Sequence, residues 1–291
     1  NWSTASSCQN DVVPGNPGDV AVLGVSSALS TINLDVNLSL GGLNFTNANS
    51  FMIGNAGKTL TFDDVATGVT ILVNNGTTNA IATAVSLNDK VTVNVAVSNQ
   101  LTFNGAISST AATNTLAKVG NGTLVLSGNN TYGPAAGSVG TVVSGGTLEL
   151  GSGQALGAGT LTNTATSTLR LDAPITLPNK IGINAGATVN LDDTGKNVTL
   201  SGGLAGNGSI NKIGTGNDIL SGGGALGTLS LSTNGVLEIA SGTFAANGQL
   251  FVDSASTLQV DSGAALNYLA RGFGFICNTT GLTDTNIING S

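Results

Sequence analysis

Three aspartates are the residues whose types and spacing could support chemistry in this sequence. Asp172 and Asp192 occupy equivalent positions in two copies of a short repeat, and Asp193 follows directly. Carboxylates on neighbouring coils can bind a cation, or can act as acid and base on a polysaccharide. A polysaccharide site also needs aromatic platforms and a basic partner, but aromatic residues make up only 4% of the chain and the nearby bases are Lys180 and Lys196. We therefore interpret these aspartates as solvated turn residues and predict that the chain is not an enzyme, with a polysaccharide-acting enzyme ranked third among its functions.

The composition excludes several other classes of site. The 291 residues include no histidine and only two arginines, which removes the usual residues of zinc hydrolases, histidine-dependent triads and haem proteins. There are 15 acidic residues and 8 basic ones, and the resulting net charge of −7 does not suit binding to nucleic-acid phosphates. We predict no cofactor, no metal site and no nucleic-acid partner.

Two cysteines, Cys8 and Cys277, lie near opposite ends of the chain. The sequence begins at Asn1 without a methionine, and it contains no run of about 18 apolar residues that would predict a membrane helix. We interpret the chain as an exported protein from which a signal peptide has been removed. Cysteines of exported proteins are commonly oxidised, so Cys8 and Cys277 are candidates for a disulfide.

A repeat indicates the elements that position these residues. Apolar residues alternate with polar ones in short segments separated by Gly, Asn, Ser or Thr, which is typical of β-strands and turns. Four-residue segments with apolar second and fourth positions recur at intervals of 20–24 residues, at Thr123, Thr147, Thr168 and Thr188, with later copies at Thr228 and Thr257.

This period suits one coil of a β-solenoid, so we predict an all-β, single-stack parallel β-solenoid of about twelve coils of 20–24 residues. Residues 1–20 form the predicted N-terminal arm, residues 21–268 the solenoid, and residues 269–291 a C-terminal arm or junction segment.

The repeat also predicts how neighbouring coils align. Alternation places the apolar positions on the inner face of each strand. Two inward ladders are expected, one of Leu124, Leu148, Leu169 and Val189 and one of Leu126, Leu150, Leu171 and Leu191. The third position of the repeat faces outward and holds Val125, Glu149, Arg170 and Asn190. Glu149 and Arg170 are therefore expected to form a pair between adjacent coils.

Two glycine-rich stretches carry a family resemblance: residues 116–132 (LAKVGNGTLVLSGNNTY) and 143–163 (VSGGTLELGSGQALGAGTLTN). They resemble the autotransporter-associated β-strand repeat of bacterial passenger domains. The resemblance implies a right-handed parallel β-helix at the bacterial cell surface, usually an adhesin or a scaffold. It extends to the passenger and not to the C-terminal barrel that normally follows one.

A third glycine-rich segment, residues 214–224 (GTGNDILSGGG), resembles one calcium-binding nonapeptide of repeats-in-toxin proteins. In such repeats, aspartates of successive turns share each ion. The next nine residues place Gly227 near the position where a second aspartate is required. We therefore interpret the segment as a Gly-Asn-Asp turn without a metal.

The two ends of the chain lead to the functional prediction. A solenoid exposes unpaired strand edges at its ends, which must be capped or joined to another chain. Head-to-tail contact between copies would bring Cys277 of one chain near Cys8 of the next and would build a filament. The alternative is an arm that folds back and caps the monomer. The candidate assembly residues are Trp2, Phe273, Phe275 and Ile276.

We accordingly predict a non-catalytic, extracellular structural protein of the bacterial surface. Its partner is itself, in an end-to-end filament or sheath. The alternative function is an adhesin passenger that binds a host or neighbouring cell.

Overall fold

The structure is a computed structural model that describes residues 2, 13–24, 30–46, 48–54, 57–65, 68–74, 76–133, 135, 137–232, 234–253, 255–268 and 276–277. The described residues form strands, turns and loops, with no helix among them. They divide into two compact units. The first comprises Asn1–Val142, Gly146–Leu148 and Gln154–Gly159; the second comprises Val143–Gly145, Glu149–Gly153 and Thr160–Ser291.

The first unit, up to the point where the chain passes into the second, is built of short strands of three to five residues. They are β1 (Val20–Leu23), β2 (Ser30–Asn33), β3 (Leu38–Leu40), β4 (Gly42–Phe45), β5 (Phe51–Gly54), β6 (Thr59–Phe62), β7 (Val69–Val73), β8 (Thr78–Ile81), β9 (Ala84–Leu87), β10 (Val91–Val95), β11 (Gln100–Phe103), β12 (Ile107–Ser109), β13 (Leu116–Val119), β14 (Thr123–Leu126), β15 (Val139–Val143) and β16 (Thr147–Leu150). The division falls within β15 and β16.

These strands build three parallel sheets in the first unit, because each coil contributes one strand to each sheet in turn. The orders are β1-β4-β7-β10-β13, β2-β5-β8-β11-β14 and β12-β9-β6-β3. Alternation along each strand directs every second side chain inward, where identical positions of successive coils stack. Val93 on β10, for example, pairs with Ile71 on β7, and both are fully buried.

The second unit continues the same pattern of short strands. They are β17 (Thr160–Asn163), β18 (Ser167–Leu171), β19 (Thr176–Leu177), β20 (Ile181–Ile183), β21 (Thr188–Asp192), β22 (Val198–Leu200), β23 (Leu204–Gly206), β24 (Ser209–Lys212), β25 (Asn217–Leu220), β26 (Gly224–Leu226), β27 (Thr228–Leu231), β28 (Val236–Ile239), β29 (Thr243–Ala246), β30 (Leu250–Val252), β31 (Thr257–Val260), β32 (Ala265–Tyr268) and β33 (Ile276–Cys277).

The three parallel sheets of the second unit have the orders β17-β20-β23-β26-β29-β32, β18-β21-β24-β27-β30-β33 and β19-β22-β25-β28-β31. We call them its first, second and third sheets. Their inner faces hold Leu, Ile and Val, with the fully buried ring of Phe244 beside Gly224 of the preceding coil. Each unit is thus a parallel β-solenoid, as predicted, and the described strands make about eleven turns in all.

The number of residues per coil varies more than the repeat predicts. Paired residues of adjacent coils are as close in sequence as Ser209 and Thr228, 19 residues apart, and as distant as Met52 and Ala80, 28 residues apart. The repeat copy at Thr257 belongs to β31 in the third sheet, whereas the copy at Thr228 lies in the second. Turns of different lengths therefore absorb the variation.

The inward orientation of the predicted ladders is confirmed, but one predicted alignment is wrong. All eight ladder residues are at most 1% exposed. However, Leu169 pairs with Leu191, and Val189 pairs with Ser167, so β21 is shifted by two residues from the predicted register. A shift of two preserves which side chains face inward, and the apolar pattern therefore cannot distinguish the two alignments.

Candidate functional site

A row of charged side chains lies on the outer face of the second unit, on β16, β18 and β21. The Nη1 atom of Arg170 lies 3.5 Å from Glu149 Oε2, and its Nε donates a hydrogen bond of 3.1 Å to Asp192 Oδ2. The structure thus brings Glu149 and Arg170 together and adds Asp192 beyond them. Partial burial favours a lower pKa for Arg170, but the hydrogen bond and charge of Asp192, helped by Glu149, raise this pKa overall.

Polar side chains extend this outer face next to the charged row. Asn190 and Asn211 pair in register, and Asn211 Nδ2 donates a hydrogen bond of 3.3 Å to Asn190 Oδ1. Ser232 Oγ in turn lies 3.3 Å from Asn211 Oδ1. These side chains are partly buried and bond to one another, so they continue the polar surface beside the charged row.

The three aspartates considered as candidate site residues, Asp172, Asp192 and Asp193, have different surroundings. Asp172 does not stack on Asp192, because the two-residue shift places Thr194 above it, and Thr194 Oγ1 donates a hydrogen bond of 3.1 Å to Asp172 Oδ1. Asp193 is fully buried, so its interpretation as a solvated turn acid is wrong. The backbone of Thr194 has a φ of 51°, which is unusual for a β-branched residue and turns the chain sharply after Asp193.

A buried charged cluster occupies the core of the second unit. Lys212, Asp193 and Asp218 have no exposed surface. Lys212 Nζ contacts Asp193 Oδ2 directly, lies 3.1 Å from Asp218 Oδ2 and donates a hydrogen bond of 3.0 Å to the carbonyl oxygen of Gly214. We call Lys212, Asp193 and Asp218 the buried triad.

Backbone groups hold one oxygen of Asp193 in this triad. Asp193 Oδ1 accepts hydrogen bonds of 2.8 Å from Gly195 N–H and 2.9 Å from Gly216 N–H. Neither oxygen of Asp218 accepts a hydrogen bond of good geometry from the described residues. Burial raises the pKa of the Asp218 carboxyl to about 7; the Lys212 charge opposes this shift and the Asp193 charge adds to it.

The buried triad was not predicted from the sequence, although the positions of its residues in the alternating pattern indicate that they face inward. Asp218 lies in β25 and faces inward, so the interpretation of residues 216–218 as a turn is wrong. Lys212 follows Ile210 at an alternating position, which places the lysine among the inward side chains. Asp193 lies 19 residues before Lys212, which is close to one coil and brings them to the same level of the solenoid.

The first unit contains a related lysine. Lys118 is also fully buried at an inward ladder position, beside Val93, and its Nζ donates hydrogen bonds of 3.0 Å to Val119 O and 2.6 Å to Gly120 O. Burial lowers the pKa of the Lys118 amine to about 8. Both lysines begin a Lys-x-Gly-x-Gly segment.

Close approach between coils explains the glycines around Lys118. Gly146 has a φ of 65°, and a Cβ atom there would lie 2.5 Å from the carbonyl oxygens of Gly120 and Gly122 and 2.8 Å from Lys118 Nζ. Thr147 N–H donates a hydrogen bond of 3.1 Å to Gly122 O at the same junction. The glycine-rich stretches that carry the family resemblance thus form the contact between successive coils.

These coils lie in the segment that a family model matches: residues 116–150 match the passenger-associated-transport-repeat family. The chain is similar to bacterial autotransporter passengers. This passenger-like chain is also 30% identical over 186 residues to the "Adhesin BmaC autotransporter" of Brucella suis biovar 1 (strain 1330). The match covers 64% of the passenger-like chain and 4% of that relative. No solved structure matches the passenger-like chain.

The end residues of the passenger-like chain are only partly described. Trp2 is 6% exposed and its indole N–H donates a hydrogen bond of 3.0 Å to Pro14 O, so it packs against its own chain. Ile276 and Cys277 pair through their backbone with Phe251 and Val252 of β30. The other candidates for the disulfide and for assembly lie outside the described residues: Cys8, Phe273 and Phe275.

Two features are absent from the described part of the passenger-like chain. Its residues include no group of three or more His, Cys, Asp or Glu side chains arranged to hold a metal ion. Within the same residues, no helix is long and apolar enough to span a membrane.

Proposed function

We propose that this chain is a segment of an adhesive passenger displayed on the bacterial surface, which binds a host or neighbouring cell through the outer faces of its coils. The observation that carries the proposal is its 30% identity over 186 residues to a protein named as an autotransporter adhesin. The match to the passenger-associated transport repeat supports an extracellular or surface location.

The distribution of side chains also supports a binding role. The core is closed by inward Leu, Ile and Val, whereas the outer face of the second unit presents Glu149, Arg170 and Asp192 in one row. Neighbouring strands lie about 4.8 Å apart, so charged side chains on successive coils form a regularly spaced array that a partner can contact. Charged and amide groups on this array would select a polar partner by complementary charge.

Binding to cells tests the proposal. The purified chain carrying a fluorescent label is incubated with cultured epithelial cells and, separately, with bacterial cells. The outer-face variant Glu149→Gln/Arg170→Gln/Asp192→Asn is compared with the wild type. We expect saturable binding of the wild type, and binding at least about tenfold weaker for the variant, which corresponds to about 1.4 kcal/mol.

A control variant in the first unit, Lys58→Gln/Asp89→Asn/Lys90→Gln, changes the same number of charges and should bind as the wild type does. If the outer-face variant binds cells as well as the wild type does, these three residues are not part of the contact surface. Electron microscopy of the same sample distinguishes end-to-end assembly. Filaments together with an absence of saturable cell binding would replace adhesion by a structural role.

A further inference from the structure

We propose that Lys212 and Asp193 become joined by an intramolecular isopeptide bond, formed in the core of the second unit with Asp218 as the catalytic proton-transfer group. The proposal rests on the geometry of the buried triad, in which an amine, a carboxyl group and a second carboxyl group meet without exposed surface. It does not depend on what the outer faces bind.

The surroundings of the triad favour the loss of its charges. Lys212 occupies an inward position between Leu191 and Leu231, and Asp218 occupies one between Val198 and Leu237. Ionised side chains in such a core are destabilised, because they lose their hydration. Condensation of an ammonium with a carboxylate gives a neutral amide and removes two of these buried charges.

Lys212 is placed as the nucleophile. Its Nζ contacts the Asp193 carboxyl group directly, and the carbonyl oxygen of Gly214 accepts one of its hydrogens. Gly235 of the following coil leaves room for the lysine, since a Cβ atom there would lie 2.7 Å from Lys212 Cε. Because the fold already holds the amine beside the carboxyl group, the two groups need not find each other in solution. The entropic cost of that encounter is a large part of the barrier to acyl transfer.

Asp193 is placed as the electrophile. Its Oδ1 accepts the two backbone hydrogen bonds from Gly195 and Gly216, which is the arrangement that stabilises an oxyanion during acyl transfer. Its Oδ2 faces Lys212 and would be the leaving oxygen. The left-handed backbone of Thr194 directs the Gly195 N–H toward Oδ1. This unfavourable backbone conformation therefore orients one of the two hydrogen-bond donors of the site.

Asp218 completes the step and balances its protons. In the reacting form a proton has moved from the Lys212 ammonium to Asp193, so the amine and the Asp193 carboxyl group are both neutral and Asp218 is a carboxylate. The Nζ–Cγ bond forms and the charge moves to Oδ1. Asp218 accepts a proton from the new N–H₂⁺ group and donates it to the Oδ2 hydroxyl. The Cγ–Oδ2 bond then breaks and water leaves, and Asp218 is regenerated.

The position of Asp218 suits this proton transfer. Its Oδ2 lies 3.1 Å from Lys212 Nζ, and neither of its carboxyl oxygens accepts a hydrogen bond of good geometry in the described core. A group that accepts and later donates a proton works best when its pKa lies near the ambient pH. Burial, which raises the pKa of Asp218 to about 7, brings it into that range.

Intact mass of the denatured wild-type chain tests the proposal. We expect a mass about 18 Da below that of the sequence, because one water is lost in the condensation. Trypsin should fail to cut after Lys212 and should leave residues 181–196 attached to residues 197–271 through a branched linkage, identified by fragmentation. A wild-type mass equal to the sequence mass, with residues 181–196, 197–212 and 213–271 released as three linear peptides, would overturn the proposal.

Variants assign the three roles. Lys212→Met and Asp218→Asn should each retain the full sequence mass. Asp193→Asn should lose about 17 Da instead, because ammonia replaces water as the leaving group. Lys118→Met is the matched control, since Lys118 is equally buried and starts the same type of segment; it should keep the deficit of about 18 Da. A deficit retained in Lys212→Met would overturn the assignment of the bond, and one retained in Asp218→Asn would overturn the catalytic role of Asp218.

Discussion

The contact between coils at Gly146 leads to a quantitative prediction about stability. Replacement by alanine introduces two separate effects at this position. The first is conformational, because alanine must adopt a φ near 65°. The second is steric, because the added Cβ would lie 2.5 Å from two backbone carbonyl oxygens of the neighbouring coil. Gly76 provides a matched control: its φ is 72°, and a Cβ atom there would have nothing within 4 Å.

The two effects have different magnitudes. A left-handed conformation costs an alanine about 1–2 kcal/mol, partly offset by about 0.4–1 kcal/mol from the reduced freedom of the unfolded chain. Gly76→Ala should therefore destabilise by about 1 kcal/mol or less. Gly146→Ala adds overpacking of about 1–3 kcal/mol and weakens the hydrogen bond from Thr147 to Gly122, worth about 1 kcal/mol. The difference between the variants should be about 3 kcal/mol.

Denaturation by urea, followed by circular dichroism and by the fluorescence of Trp2, measures this difference. Trp2 is the only tryptophan and is buried in the first unit, which contains both glycines. In a thermal scan the difference corresponds to roughly 6 °C in Tm for a chain of this size. Equal destabilisation by Gly146→Ala and Gly76→Ala would refute the close approach and leave only the backbone effect.

Three further predictions concern single side chains. Because burial raises the pKa of Asp218 to about 7 from 3.8, the native state binds its proton more tightly than the unfolded state. Wild-type stability should therefore fall by a few kcal/mol from pH 4 to pH 7 and then level off, and denaturation of Asp218→Asn should lack this decline; the same slope in both would contradict the assignment. Tyr132→Phe removes the 2.6 Å hydrogen bond to Thr141, which is also buried, and should lower the free energy of unfolding by about 1–3 kcal/mol, a loss that Tyr132→Phe/Thr141→Val should partly restore in the same assay. Arg170→Ala separates Glu149 from its partner on the outer face and should cost at most about 1 kcal/mol, less at 1 M salt; a larger, salt-independent loss would show a structural role instead.

The fold was predictable from the sequence to the extent that one pattern determines it. Alternation in segments such as residues 123–126 specifies which side chains face the core, and the period of about 20–24 residues specifies a stack of coils. The alignment of β18 with β21 was not predictable. Leu169 can pair with Val189 or Leu191 and remain buried, and only the turns between the strands select one.

The charged core was harder to predict for a physical reason. A lysine is almost never fully buried unless it is paired, and the partners of Lys212 lie on a preceding turn and on a strand of another sheet. No local pattern links the three residues. Their meeting depends on the lengths of two turns, which the apolar repeat does not encode. Glu149 and Arg170 were easier, since they share one position of the repeat.

The variable spacing between paired strands has a consequence for how sequences of this type can change. Ladder partners remain in register whether 19 or 28 residues separate them, so turns tolerate insertions and deletions. One residue inserted within a strand would instead exchange its inward and outward side chains. Duplication of a whole coil adds outer surface and brings its own core residues. Such a chain can therefore lengthen by recombination between its repeats while each existing coil keeps its neighbours, and variation at the outward positions can proceed without loss of the fold.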